Sequence, residues 1–139
     1  MPQRESSARA DIDGKLRAVL SGHPDIALAI VFGSLARDSA NRDSDLDLAV
    51  AGQARLGPDA RVRLIEDLAY AFGRPVDLVD LQEAHGPILH QAVTRGRLLL
   101  CKDRTLYAEI IRRMLYEEAD VMPYYRRILA ERRRAWIGK

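Results

Sequence analysis

From Ile26 to Phe32 the chain is an almost continuous apolar run, and it stops at Gly33 and Ser34. A run of that length bounded by turn residues predicts a buried strand delivered into a tight turn. A second strand is predicted over Leu46–Val50, and it opens among acids, at the end of the stretch GSLARDSANRDSDLD from Gly33 to Asp47. Side chains two apart on a strand share a face, so Asp45 and Asp47 point together while Leu46 and Leu48 face the other way. Two carboxylates on one face repel unless a cation sits between them. Mg²⁺, a hard ion that prefers oxygen ligands, suits carboxylates and phosphate together.

The turn ahead of the acids carries anion-binding chemistry. Gly33 has no Cβ, so a phosphate can approach the main chain closely. Ser34 adds a hydroxyl donor, and a short helix starting over residues 35–37 would turn its unpaired amides and positive end toward the same anion. Arg37 would then add a guanidinium. Ser44 has two readings, a nucleotide contact or a turn cap bonded to its own backbone. A third carboxylate is available in RPVDLVDLQ, where Pro75 opens a strand predicted over Val76–Leu81. Alternation puts Asp77 and Val79 on one face and Leu78 and Asp80 on the other. Asp77, near the strand's start, is the expected third member, with Asp80 as a cap for the segment that follows.

A Gly-Ser, a spacer, an Asp-x-Asp and a later strand Asp together resemble the signature of the nucleotidyltransferase superfamily related to DNA polymerase β. The chain is similar to its small branch, the minimal nucleotidyltransferases, and within that branch to the MNT antitoxins. Those proteins are encoded beside HEPN-domain toxins and transfer AMP from ATP onto a toxin tyrosine. The similarity covers most of the chain, including VDLVDL and the RGRLLL strand near position 100. The resemblance implies that Gly33 and Ser34 hold phosphate, that Asp45 and Asp47 bind Mg²⁺, and that Asp77 completes the site as a third metal ligand, at the ion nearer the attacking hydroxyl. Two ions about 3.5–4 Å apart would be expected, as in other two-metal sites. One departure is Asp38, where the family usually has Gly after the Arg; a negative charge beside a triphosphate is unfavourable unless it points away. Taken singly, a Gly-Ser is a common turn and an Asp-x-Asp a solvated strand end. Their conjunction, after a buried strand and before a third strand Asp, is what points to a nucleotidyltransferase site.

The rest of the chain predicts an α/β (α+β) architecture, a small mixed sheet flanked by helices with a helical C-terminus. Ile12, Leu16, Val19 and Leu20 form a stripe at helical spacing that Gly22, His23 and Pro24 terminate. A second helix starts at Pro58 and Asp59, with Val62, Ile65, Leu68, Ala69 and Phe72 expected on its buried face and Gly73 after its end. A third is expected over Pro87–Thr94. From Thr105 the pattern is helical again until Pro123 kinks or breaks it. At 139 residues and 47% hydrophobic, the chain has room for one core. It is therefore expected to be a single minimal nucleotidyltransferase domain over 1–139, with 105–139 as a helical extension, and a protein acceptor completing the site.

Charge collects at the C-terminus. Tyr124 to Lys139 holds six basic residues and one acid, a local +5 that leaves −3 for the remainder of a chain whose net charge is +2. A solvated helix face or a surface for an acidic partner would both produce this; Tyr124, Tyr125 and Trp136 show no nucleic-acid module pattern, and no nucleic-acid partner is expected. No apolar run is long enough to cross a membrane and MPQRESSARAD lacks a signal-peptide core, so a cytoplasmic location is expected. Cys101 is alone and reads as core packing, and His23, His85 and His90, sharing no ligand spacing, as helix-boundary or surface residues. The leading expectation is a Mg²⁺-dependent antitoxin that transfers AMP from ATP to a HEPN toxin. The alternatives are an antitoxin that acts by binding alone, and a transferase acting on an aminoglycoside-like small molecule.

Overall fold

A computed structural model describes residues 2–33 and 45–137. Its elements in chain order are α1 (Pro2–Leu20), β1 (Leu28–Phe32), β2 (Leu46–Ala51), α2 (Pro58–Phe72), β3 (Val76–Asp80), α3 (Gly86–Arg95), β4 (Arg97–Cys101), α4 (Arg104–Tyr116), a π-helical turn (Glu117–Val121) and α5 (Met122–Ile137). The four strands form one mixed sheet in the order β3-β2-β1-β4. β1 runs antiparallel to both β2 and β4, while β2 and β3 are parallel. Parallel neighbours need a crossover, and α2 supplies it.

Strand alternation divides the core into two layers. Ala29, Val31, Leu46, Leu48, Val50, Leu78 and Leu99 meet Leu16 and Leu20 of α1 and Leu64 and Leu68 of α2. Leu28, Ile30, Phe32, Ala49 and Ala51 meet Leu89 and Ala92 of α3 and Leu106, Ile110 and Met114 of α4. Both faces of β1 are covered, which explains its uninterrupted apolar run.

Helix ends fall where the punctuation residues predict. α2 opens on Pro58 after an extended Gly57, and closes on Gly73, whose φ of 61° is left-handed and whose N–H donates to the Ala69 carbonyl. Its buried face differs from expectation. Val62 is exposed, and Leu64 and Leu68 are the fully buried pair with Ile65 and Phe72 packed at their edge. Positions 62 and 64 stand about 200° apart on a helix, so burying Leu64 in register with Leu68 turns Val62 to solvent.

The Pro123 expectation is met by a widened turn. A proline ring clashes with the carbonyl four residues before it, and the π-helical stretch Glu117–Val121 lies there, between α4 and an α5 that carries Pro123 in its first turn. Asp80 is buried and caps as expected, its carboxylate accepting from Leu56 N–H at 2.8 Å and Gln82 N–H at 2.9 Å. Cys101 is partly buried at the edge of the α3/α4 layer. His23 follows α1 and pairs with Asp67 at 2.8 Å, and His85 stands at the α3 N-terminus against Glu117 at 2.7 Å.

Candidate active site

β2 and β3 start at the same end of the sheet, and β1 finishes there. Leu46 N–H donates to the Pro75 carbonyl at 2.8 Å and sets the parallel register, which pairs Asp47 directly with Asp77. On the other side of β2, Asp47 is opposite Phe32. Alternation assigns Asp47 to the face of Ala49 and Ala51, and Asp77 to the face of Val79, so both carboxylates project on the α3/α4 side. Asp45 stands one residue ahead of β2, exposed, two positions from Asp47.

The Asp47 carboxyl is pushed above its ordinary value. Burial contributes most, followed by the negative charges of Asp77 and Asp45 and then a hydrogen bond with Asp77. Phe32, almost wholly buried and in register with Asp47, removes water from one side. A cation seated beside Asp47 would offset the like charges that raise it.

Gly33 has a role the sequence did not reveal. Its φ is 71°, in the left-handed region that favours glycine, and a Cβ built there would overlap Asp47 Oδ2. The bare main chain at Gly33 makes room for the Asp47 carboxylate itself. A glycine closing a buried strand hints at a close approach, but nothing in the sequence names Asp47 as what approaches.

Of the residues singled out from sequence, Gly33, Asp45, Asp47 and Asp77 come together at this end of the sheet. Ser34, Arg37, Asp38 and Ser44 lie outside the described residues. Among the described residues, no group of three or more His, Cys, Asp or Glu side chains is placed to hold a metal ion. The site is instead a touching Asp47–Asp77 pair with Asp45 acting on Asp47 at longer range. Its donor set, carboxylate oxygens from Asp47, Asp77 and Asp45 gathered at one end of the sheet, has the hard-oxygen chemistry that suits a divalent cation. Asp80, three residues from Asp77, is excluded from it by its capping bonds on the opposite face.

A small mixed sheet with paired carboxylates where β2 and β3 begin defines a nucleotidyltransferase-type site. A family model described as "Polymerase beta, Nucleotidyltransferase" matches residues 14–105, and the chain belongs to that family. It is 40% identical over 76 residues to protein adenylyltransferase MntA of Shewanella oneidensis, an alignment covering 55% of this chain and 55% of that protein. The chain thus spans about half the length of the curated relative it matches. It also resembles a toxin-antitoxin crystal structure with AMP-PNP, at a TM-score of 0.65 and 30% identity over 91% of this chain and 95% of that one. A complex of tri-AMPylated Shewanella oneidensis HEPN toxin with MNT antitoxin matches at a TM-score of 0.56 and 28% identity, over 96% of each chain. Among the described residues, no helix is long and apolar enough to cross a membrane.

Proposed function

We propose that this chain is a Mg²⁺-dependent adenylyltransferase that moves AMP from ATP to a tyrosine of a HEPN toxin and acts as that toxin's antitoxin. The observation that carries the reading is the Asp47–Asp77 pair in direct register at the mouth of β2 and β3, with Asp47 raised in pKa and fronted by Gly33. The relationship to MntA, and the likeness to a toxin-antitoxin structure with AMP-PNP and to an AMPylated HEPN toxin in complex with MNT antitoxin, support this choice of nucleotide and acceptor.

Each residue has a task in this reading. Asp45 and Asp47 hold the cations that accompany the triphosphate, and Asp77 draws the acceptor hydroxyl in beside Asp47 and favours its deprotonation. Gly33 keeps the main chain out of the Asp47 carboxylate's way. Divalent cations, when bound, neutralise charge on the attacking and leaving oxygens of an in-line displacement. The bond formed joins the tyrosine oxygen to the α-phosphorus, the bond broken joins that phosphorus to pyrophosphate, and the hydroxyl proton leaves by way of Asp77 to solvent. Positioning and charge neutralisation do most of the work, so loss of one carboxylate is costly to rate and cheap to the fold. Ser34, Arg37 and Ser44 are proposed as further phosphate contacts.

The test uses α-labelled and γ-labelled ATP with Mg²⁺ and, as acceptor, the product of the neighbouring gene, expected to be a HEPN protein. Label reaching the HEPN protein from the α position only, and lost in the Asp45→Asn/Asp47→Asn double variant, supports the proposal. A tight complex without label from any nucleotide would make the chain a binding-only antitoxin, and label on an aminoglycoside instead would make it a small-molecule transferase.

A further inference from the structure

Beyond the reacting end, the chain carries a second surface that the transfer chemistry leaves unused. α5 leaves the π-helical turn with Arg126, Arg127, Arg132, Arg133 and Arg134 all exposed. At 16 residues it is roughly 24 Å long. Arg126, Leu129 and Arg133 fall at i, i+3 and i+7 and share a face, and Leu129 is 55% exposed. At the root of this arm, Leu115 and Tyr116 of α4 are also more than half exposed. Apolar anchors among arginines have the composition of a protein-binding surface, where aromatic residues and Arg are enriched and Lys depleted.

The root of the arm is fastened. Glu117, the first residue of the π-helical turn, accepts from Gly86 N–H at 2.9 Å and pairs with His85. Arg113 donates to the carbonyls of Leu81 and Ala84. These anchor points follow the end of β3, whereas Asp77 lies at its beginning. The strand rise of about 3.3 Å per residue puts roughly 13 Å between Asp77 and Leu81. An acceptor that covers α5, roughly 24 Å long, and also reaches the carboxylates is a protein rather than a small molecule, and the fastened turn fixes where α5 springs from the domain.

We propose that α5, with Leu115, Tyr116 and Leu129, is the docking surface for an acidic face of the protein acceptor, separate from the carboxylates that do the chemistry. The inference rests on the adenylyltransferase reading. It assigns α5 to acceptor affinity and on-rate, and leaves the transfer step to the far end of the sheet.

The experiment compares the whole chain with the Arg127→Glu/Arg133→Glu/Arg134→Glu triple variant and its Arg→Lys counterpart, after checking that all three melt alike. Affinity for the purified HEPN protein is measured at 50 and 300 mM salt, with KM and kcat for label transfer from α-labelled ATP. The expected result is a loss of affinity and a rise in KM of at least tenfold at low salt for the Glu variant. Its kcat stays unchanged, and the Lys variant binds within about twofold of wild type. Equal affinity and KM in wild type and Glu variant would overturn the docking surface while leaving the transferase reading intact. Wild-type binding that fails to label, yet is lost on charge reversal, would overturn the transferase reading and keep the surface. A single-stranded RNA 20-mer that binds wild type and is lost on charge reversal, with HEPN affinity unchanged, would make the arm a nucleic-acid surface and overturn the proposal.

Discussion

The two ends of the sheet treat carboxylates in opposite ways. Where β3 finishes and the C-terminal helices attach, three acids have donors. Asp80 accepts two backbone N–H groups, Asp103 caps α4 through Leu106 N–H and takes a 2.6 Å bond from Gln53, and Glu117 holds Gly86 and His85. The Gln53 bond and the Leu106 amide hold Asp103 below the usual carboxylate range. Burial would raise Glu117, but bonds from His85 and Gly86 and the charges of His85 and Arg113 outweigh it and lower it. Where β2 and β3 begin, Asp47 faces Asp77 and Asp45 and is raised. Carboxylates at the first end hold the fold together; at the second, Asp47 is held among like charges that a cation would offset. Sites of chemistry are where such perturbed groups are expected to collect.

The largest expected effect is on rate. Asp47→Asn should lower label transfer to the HEPN protein by about 10²–10³-fold or more, the scale on which single groups that stabilise transition-state charge act. The same variant tests the repulsion directly. A carboxyl raised on folding contributes stability below its unfolded value of 3.8 and loses that contribution as pH rises through the raised value. At neutral pH without divalent ions, Asp47→Asn should therefore melt at or above the wild-type temperature, and a lower melting point would erase the contrast between the two ends.

Next in size, Asp80→Ala should cost about 2–6 kcal/mol in urea unfolding, because it strands the Leu56 and Gln82 amides, at roughly 1–3 kcal/mol each. Its folded fraction should keep the wild-type specific activity. A stable Asp80→Ala protein that cannot transfer label would move Asp80 to the reacting end of the comparison.

Gly33→Ala should cost about 1–2 kcal/mol from its left-handed backbone. It should also weaken divalent-ion affinity by displacing Asp47, which calorimetry can separate from the stability loss. The smallest effect concerns pH. Glu117 is lowered on folding, so its contribution is present above its ordinary value of 4.5 and lost as pH falls through the lowered value. Melting temperature followed downward from pH 6 should fall less steeply in Glu117→Gln than in wild type.

Much of this contrast was legible from local pattern. The i, i+2 spacing of Asp45 and Asp47 and the strand phase of Asp77 against Asp80 depend only on alternation; Asp77 stands beside Asp47, and Asp80 caps the Leu56 and Gln82 amides. Helix ends at Pro58 and Gly73 were equally legible, because they rest on backbone angles of single residues. What local pattern cannot carry is contact across the fold. The burial of Leu64 over Val62 depends on how α2 lies on the sheet. The fit of Asp47 against Gly33 needs the antiparallel register of β1 and β2, and the Glu117 contact joins residues 31 apart in sequence.

The most direct test of the account is Mn²⁺ binding, followed by electron paramagnetic resonance in the presence of a non-hydrolysable ATP analogue, for wild type, Asp47→Asn and Asp80→Ala. The account predicts that wild type and Asp80→Ala bind alike while Asp47→Asn loses at least tenfold in affinity; equal binding by Asp47→Asn would contradict it.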